Sequence, residues 1–426
     1  MQMVSTEASP APELSFAYML AGVCGMLGAA AMLVWQPEAL LTRWHPAALA
    51  AVHIFALGGL MPVMLGALLQ FVPVACGLSL PRWGWGDQLL LAALMLGVAT
   101  LAEAFLSGST TWFLLAGSLL LTCLGLAGLR LAYALWQQPT KAELVASMRR
   151  STWALGMTLT LACVLLGILT QGWDLPLVVL VDWHAQWGMA GWVGGLVASV
   201  AGVVVPMFHV TDAYPRGWTR AMQMASLLLL AVGVAAWWQM GDVVTGIRVL
   251  LCATLAGFGV LTALRVRKSR RGEHDAFHWG WLGLAVISLI AAGLALAASL
   301  LADPRWSVAF GVMMLAGFGG GAINVMLYRI VPFLSWLHWQ RHNAARARLP
   351  LLHQIIPEKW QRVQLAGDAL GIALLTTASF APELTRPAAL LLMASKLMLA
   401  VLLAQAVRSY RSRLALLKTL PPRVRT

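Results

Sequence analysis

Twelve apolar runs dominate this chain, each near the length of about 20 residues that carries a helix across a bilayer. They predict helices near 15–35, 46–76, 86–106, 111–136, 151–171, 176–210, 219–239, 243–264, 278–302, 305–337, 363–381 and 386–408. In lipid every backbone N–H and C=O must be paired inside the protein, and a helix does this within one segment. The chain is 60% hydrophobic and 11% charged, against about 25% charged in soluble domains. The fold class expected is an all-α polytopic membrane protein, one membrane domain over 1–426, with the lipid bilayer as its solvent.

A net charge of +13 does not imply nucleic acid here, because the cations gather in short loops on one side. The loops after even-numbered helices hold Arg82; Lys141, Arg149 and Arg150; Arg216 and Arg220; Arg265, Arg267, Lys268, Arg270 and Arg271; and Arg341, Arg346, Arg348 and Lys359. A basic tail, 409–426, adds Arg411, Arg413, Lys418, Arg423 and Arg425 beyond Arg408. The opposite side carries Asp174, Asp182, Asp242, Asp303 and Glu383, with Arg43, Arg305 and Arg386. The positive-inside rule then makes both termini cytoplasmic. The polar start, MQMVSTEASPAPELS, lacks a basic n-region, so no cleaved signal peptide is expected. The five cysteines show no CxxC spacing and read as small buried hydrophobes. Trp44, Trp83, Trp112, Trp183, Trp218 and Trp336 fall at the ends of runs, where an interfacial belt belongs.

The second, sixth and tenth runs are the longest, and each opens near a proline: Pro46, Pro176 and Pro304. Proline suits a first helical turn. They close on similar phrases, "LLQFVPV", "GVVVPMF" and "LYRIVPF", with proline-to-proline spacings of 27, 30 and 28. This predicts three pseudo-repeats of four helices, about 1–136, 141–266 and 276–410, with the long helices around a pseudo-threefold axis.

Two of those helices carry a histidine at matching depth. His53 lies 7 residues after Pro46 and His184 lies 8 after Pro176, about 10–12 Å along the helix. Histidine inside a bilayer is costly, and a matched pair points to a buried metal or heme site. Either residue alone is equally served by a hydrogen bond to a neighbouring helix. The third long helix has Met313 and Met314 at this depth, and methionine is a known axial partner of histidine on heme. More often such a methionine is packing. Gly188, Gly191, Gly195 and Gly202 share the His184 face. That stripe admits either a flat ligand or a closely packed helix. The His53 face continues through Leu57, Leu60 and Met64. His209 is about 37 Å further along the sixth helix and serves another place. His274, His278, His338, His342 and His353 read as loop or interfacial residues; His338 and His342 have i,i+4 spacing without acidic or cysteine partners. Lys396 and Asp368 fall inside the last two runs and are expected to pair. Asp182, two residues before His184, is placed to hold an imidazole or a partner of a heme propionate.

Twelve helices, three four-helix arcs, histidines near the outer ends of the second and sixth, and the phrases "MLYRIVPFLSWLHWQ" and "GVVVPMFHVTDAYP" resemble subunit I of the heme-copper oxidase and nitric oxide reductase superfamily, in a bacterial branch. The resemblance covers nearly the whole chain. It implies a bacterial inner membrane, a low-spin heme on His53 and an active-site metal on His184. Departures are large. The 219–239 run lacks the family's histidine pair, 305–337 lacks its two heme ligands, and His184 is followed by Ala-Gln-Trp-Gly in place of the tyrosine motif. The resemblance therefore implies an oxidase-like protein that is not a terminal oxidase.

Three function classes follow. The first is a heme b protein for electron transfer or diatomic-gas handling, with His53 and His184 on one heme or His53 with Met313 or Met314, served by a redox partner protein or quinol. The second is a twelve-helix transporter. The third handles copper or heme for respiratory enzymes, copper being favoured by thioethers. Whether the chain is an enzyme, and any catalytic residue, is left open by the sequence.

Overall fold

The computed structural model describes residues 10–137, 142–271, 274–343 and 347–419. Lys141, Arg346, Arg423, Arg425 and the first nine residues lie outside them. The described residues contain no strand. Twelve long helices follow one another: α1 Glu13–Trp35, α2 Pro46–Cys76, α3 Trp85–Ser107, α4 Thr110–Trp136, α5 Glu143–Gln171, α6 Leu177–His209, α7 Trp218–Trp237, α8 Gly241–Arg267, α9 Ala276–Leu300, α10 Arg305–His342, α11 Glu358–Ala378 and α12 Thr385–Thr419. Among the described residues eleven are long and apolar enough to cross a membrane, and the chain is a multi-pass membrane protein.

The exception is α11, which begins at Glu358, earlier than its apolar run, and takes Lys359, Arg362 and Asp368 into its length. Three other ends move outward for the same reason: helical hydrogen bonding continues past the apolar boundary. α5 starts at Glu143 and includes Arg149 and Arg150. α10 runs to His342, putting His338 and His342 on a helix. α12 runs to Thr419, so most of the basic tail extends the last helix.

Local chemistry explains both ends of α2. Pro46 occupies the first turn of α2, and His45 Nδ1 caps it by accepting from the Ala47 amide at 3.2 Å. Gly77 closes α2 at φ 65°, a left-handed conformation that glycine reaches without a Cβ clash.

Three of the four longest helices each widen into a π-helical segment: Ile54–Leu60 in α2, Trp187–Gly194 in α6 and Met313–Gly320 in α10. Such insertions are rare and recur at functional sites. The α10 segment packs on the other two. A Cβ on Gly319 would sit 3.1 Å from Leu60 and 3.5 Å from Val193, and one on Gly320 would sit 2.8 Å from Phe55. Glycine here makes room for the Leu60, Phe55 and Val193 side chains of α2 and α6.

The tightest crossing is between α1 and α2. A Cβ on Gly25 would lie 2.0 Å from the Gly58 carbonyl oxygen, a backbone contact of the kind small residues permit in membranes. Gly25→Ala is expected to push α1 off α2 and to cost about 1–3 kcal/mol, the usual range for overpacking. A thermal unfolding curve in detergent checks this; an unchanged midpoint would contradict it.

The tryptophan belt is partly as expected. Trp44, Trp83 and Trp112 are exposed. Trp218 is instead buried, stacked between Tyr214 and Phe258. Trp183 lies against Gly233 and donates its Nε1–H to the Leu229 carbonyl at 3.1 Å. An indole at a helix end packs inward when a neighbouring carbonyl or ring accepts it.

Candidate cofactor site

His53 and His184 come together. Their ring centroids are 6.4 Å apart and the ring planes are 17° from parallel. His53 is the last residue of α2 before its π-segment, and His184 stands three residues ahead of the one in α6. Both rings are half-buried.

Each ring is held by a backbone carbonyl at Nδ1: His53 donates to Leu49 O at 2.8 Å and His184 to Thr158 O at 3.1 Å. A carbonyl can only accept, so both Nδ1 atoms carry the proton. Both Nε2 lone pairs are left for another partner, and none is found among the described residues. This is the arrangement in which a histidine ligand is fixed through its other nitrogen. Phe105 of α3 covers His53, with centroids 5.0 Å apart, and Phe113 meets Phe105 edge-on.

The glycine stripe of α6 has its explanation in α5. Cβ atoms on Gly188, Gly191 and Gly195 would meet Thr158, Ala154 and Ser151 at 3.4, 2.8 and 2.6 Å. The stripe is therefore filled by a helix. That close approach brings the Thr158 carbonyl within reach of His184, so the stripe helps to position the histidine.

Met313 and Met314 are buried in apolar clusters. Met313 belongs to an apolar cluster with Ala291, Val308 and Ile372, and Met314 to one with Phe258, Trp281 and Phe318. The neighbour that His53 meets is His184.

Above the pair, on the side where α2 and α6 begin, Asp182 receives two cations. Arg43 pairs with Oδ1, and Arg248 Nη2 lies 3.7 Å from Oδ2. Arg248 sits inside an apolar run of α8 and is missed by a reading that looks for charges in loops. A lone cation one-third of the way into such a run was the available signal.

The other histidines form separate groups. His209 lies 5.7 Å from His278 between ring centroids, and His278 lies 4.1 Å from His274. Asp275 beside them caps α9 through the His278 amide at 3.0 Å and pairs with Arg329 and Arg271. Burial opposes its ionisation, but Arg329, the amide and Arg271 hold its carboxyl below the usual carboxylate range. His338 Nδ1 donates to the Tyr410 hydroxyl at 2.7 Å, which donates to Glu13 at 2.6 Å, tying α10, α12 and α1. Among the described residues no three His, Cys, Asp or Glu side chains gather as a metal-binding group.

Lys396 and Asp368 do pair. Lys396 Nζ lies 2.7 Å from Asp368 Oδ1, off the line of a well-directed hydrogen bond, and both side chains are 3–4% exposed. Asn324 donates to Asp368 Oδ2 at 2.9 Å, while Ser395, Gln364 and Tyr328 continue the network.

No protein-family model matches the chain, and no curated protein matches it.

Proposed function

We propose that this chain holds one heme b between His53 and His184 and carries electrons through it, as an oxidase-like membrane protein that is not a complete terminal oxidase. The observation behind this reading is the histidine pair itself. With metal–nitrogen bonds of about 2.0 Å, two imidazoles on opposite sides of one metal have ring centres about 6 Å apart. The near-parallel rings at 6.4 Å fit that separation. An offset ring contact has a similar spacing, but it does not call for two anchored Nδ1 atoms and two unengaged Nε2 atoms.

The donor count favours heme over a bare ion. Zinc takes about four protein ligands in a closed site, and only two histidine rings meet here among the described residues. A porphyrin carries most of its metal's ligands with it, so His53 and His184 would be the protein residues that hold the group. Bound heme would supply one-electron redox chemistry. Held by two protein imidazoles, such a group would serve electron transfer rather than gas binding. Copper held by the two imidazoles alone is the alternative occupant.

The finer architecture belongs to the same proposal. The recurrence of a π-segment in α2, α6 and α10 supports three repeats of four helices. The one-sided distribution of Lys and Arg supports cytoplasmic termini in a bacterial inner membrane. The electron donor in this reading is a quinol or a redox partner protein.

The test is an oxidised and dithionite-reduced visible spectrum of detergent-purified protein made with ample heme. A strong Soret band with sharp alpha and beta bands on reduction is expected. Stoichiometric protein without heme absorbance would remove the redox reading. One observation favours a second reading, transport: the buried ion pair Asp368–Lys396 and its polar network. A colourless protein stabilised against heat by a substrate would support that instead.

A further inference from the structure

We propose that Arg43 and Arg248 are the carboxylate-binding rim of the histidine site, and that Asp182 competes with the ligand's carboxylates for them. This rests on the reading that His53 and His184 hold one metal-centred group. It goes further by requiring that group to carry acidic substituents, as a porphyrin does and a copper ion does not.

Three elements converge at this rim. Arg43 comes from the segment leading into α2, three residues before Pro46 and ten before His53. Asp182 lies on α6 two residues before His184, about 3 Å along the helix axis. Arg248 comes from α8. The carboxylate uses one oxygen for each arginine. Two cations against one anion leave the rim with a net positive charge, at the ends of α2 and α6 nearer the histidines.

The rim is also poised to exchange partners. Side chains of Arg43, Asp182 and Arg248 are 39%, 26% and 35% exposed. An exposed ion pair contributes little, about 0–1 kcal/mol, so the Asp182 contacts are easily given up. A guanidinium has five N–H donors in a planar fork suited to carboxylate, and a single Asp182 leaves most of those ten donors for another acid. An arginine inside the apolar run of α8 is costly without such a use.

The probes are hemin and hemin dimethyl ester, whose acids are blocked, added to heme-free full-length protein and followed by Soret titration. Wild type is expected to bind hemin about tenfold or more tightly than the ester, the effect of one charge-assisted hydrogen bond. Arg43→Gln/Arg248→Gln should weaken hemin by at least that factor and leave the ester unchanged, erasing the preference. Asp182→Asn frees both arginines and should tighten hemin, a gain that a damaged fold cannot produce. Equal binding of the two porphyrins by wild type, or an unchanged preference in the double variant, overturns the rim while leaving the histidine reading intact. A wild type that binds neither porphyrin overturns both.

Discussion

His184→Ala is expected to abolish the six-coordinate low-spin heme spectrum, and His53→Ala to do the same. In the proposed site each imidazole would supply one of the heme's two protein ligands, so losing either should leave a broadened, high-spin spectrum. Removing a partner that merely orients a ligand weakens a metal site about 10–100-fold, and losing the ligand itself should exceed that. Added imidazole should restore the low-spin bands to either variant, which separates ligand loss from a damaged fold. Met313→Leu and Met314→Leu should leave the spectrum unchanged, because both side chains are packed among apolar residues and the ring that meets His53 in the pair is that of His184. A His184→Ala protein with an intact low-spin spectrum would remove His184 as a ligand and return the methionines to consideration.

Lys396→Met is expected to be the most damaging single change to stability. It leaves Asp368, 3% exposed, without its cation among helices α10, α11 and α12. Breaking a buried pair by removing one partner costs about 3–5 kcal/mol, whereas replacing both with apolar groups of similar size is often neutral. Lys396→Met/Asp368→Leu should therefore recover most of the loss. Thermal unfolding in detergent, with the four proteins side by side, measures the coupling. A single variant as stable as wild type would mean that Asp368 is served well enough by Asn324 and Ser395. The pair also explains why α11 belongs in the bundle although its composition keeps it outside the eleven most apolar helices: its one buried charge, Asp368, faces inward and is matched there, while Lys359 and Arg362 are exposed.

The depth of the candidate site was legible before its geometry. The opening prolines mark where α2 and α6 begin, and counting residues along a fixed helical rise puts His53 and His184 at one level. Their facing direction was not legible. A 3.6-residue wheel assigns the glycines of α6 to the His184 face, and π-segments in both helices change that phase. The same stripe admitted two readings because small residues suit a flat ligand and a close helix equally. The position of Ser151, Ala154 and Thr158 decided for the helix.

The rim illustrates the same limit. Arg43 and Asp182 are visible as loop and helix-end charges, but they are separated by 139 residues, and nothing local links them. Arg248 is visible only as an oddity in an apolar run. Trp218 looked interfacial by its place at a helix end and is stacked inside because Tyr214 and Phe258 flank it.

The sequence by itself determined the number of long helices, their approximate ends and the multi-pass character of this protein. Those follow from lengths of apolar chain and from the cost of unpaired backbone in lipid, both of which are local. It also marked His53, His184, Asp368 and Lys396 as residues whose burial needs a reason. Only the tertiary structure decided that His53 meets His184 and that Arg248 reaches Asp182. Those meetings depend on how each helix is rotated about its axis and which neighbour it packs against. That choice is set by close contacts such as Gly25 on Gly58 and Gly319 on Leu60, spread over residues far apart in the chain.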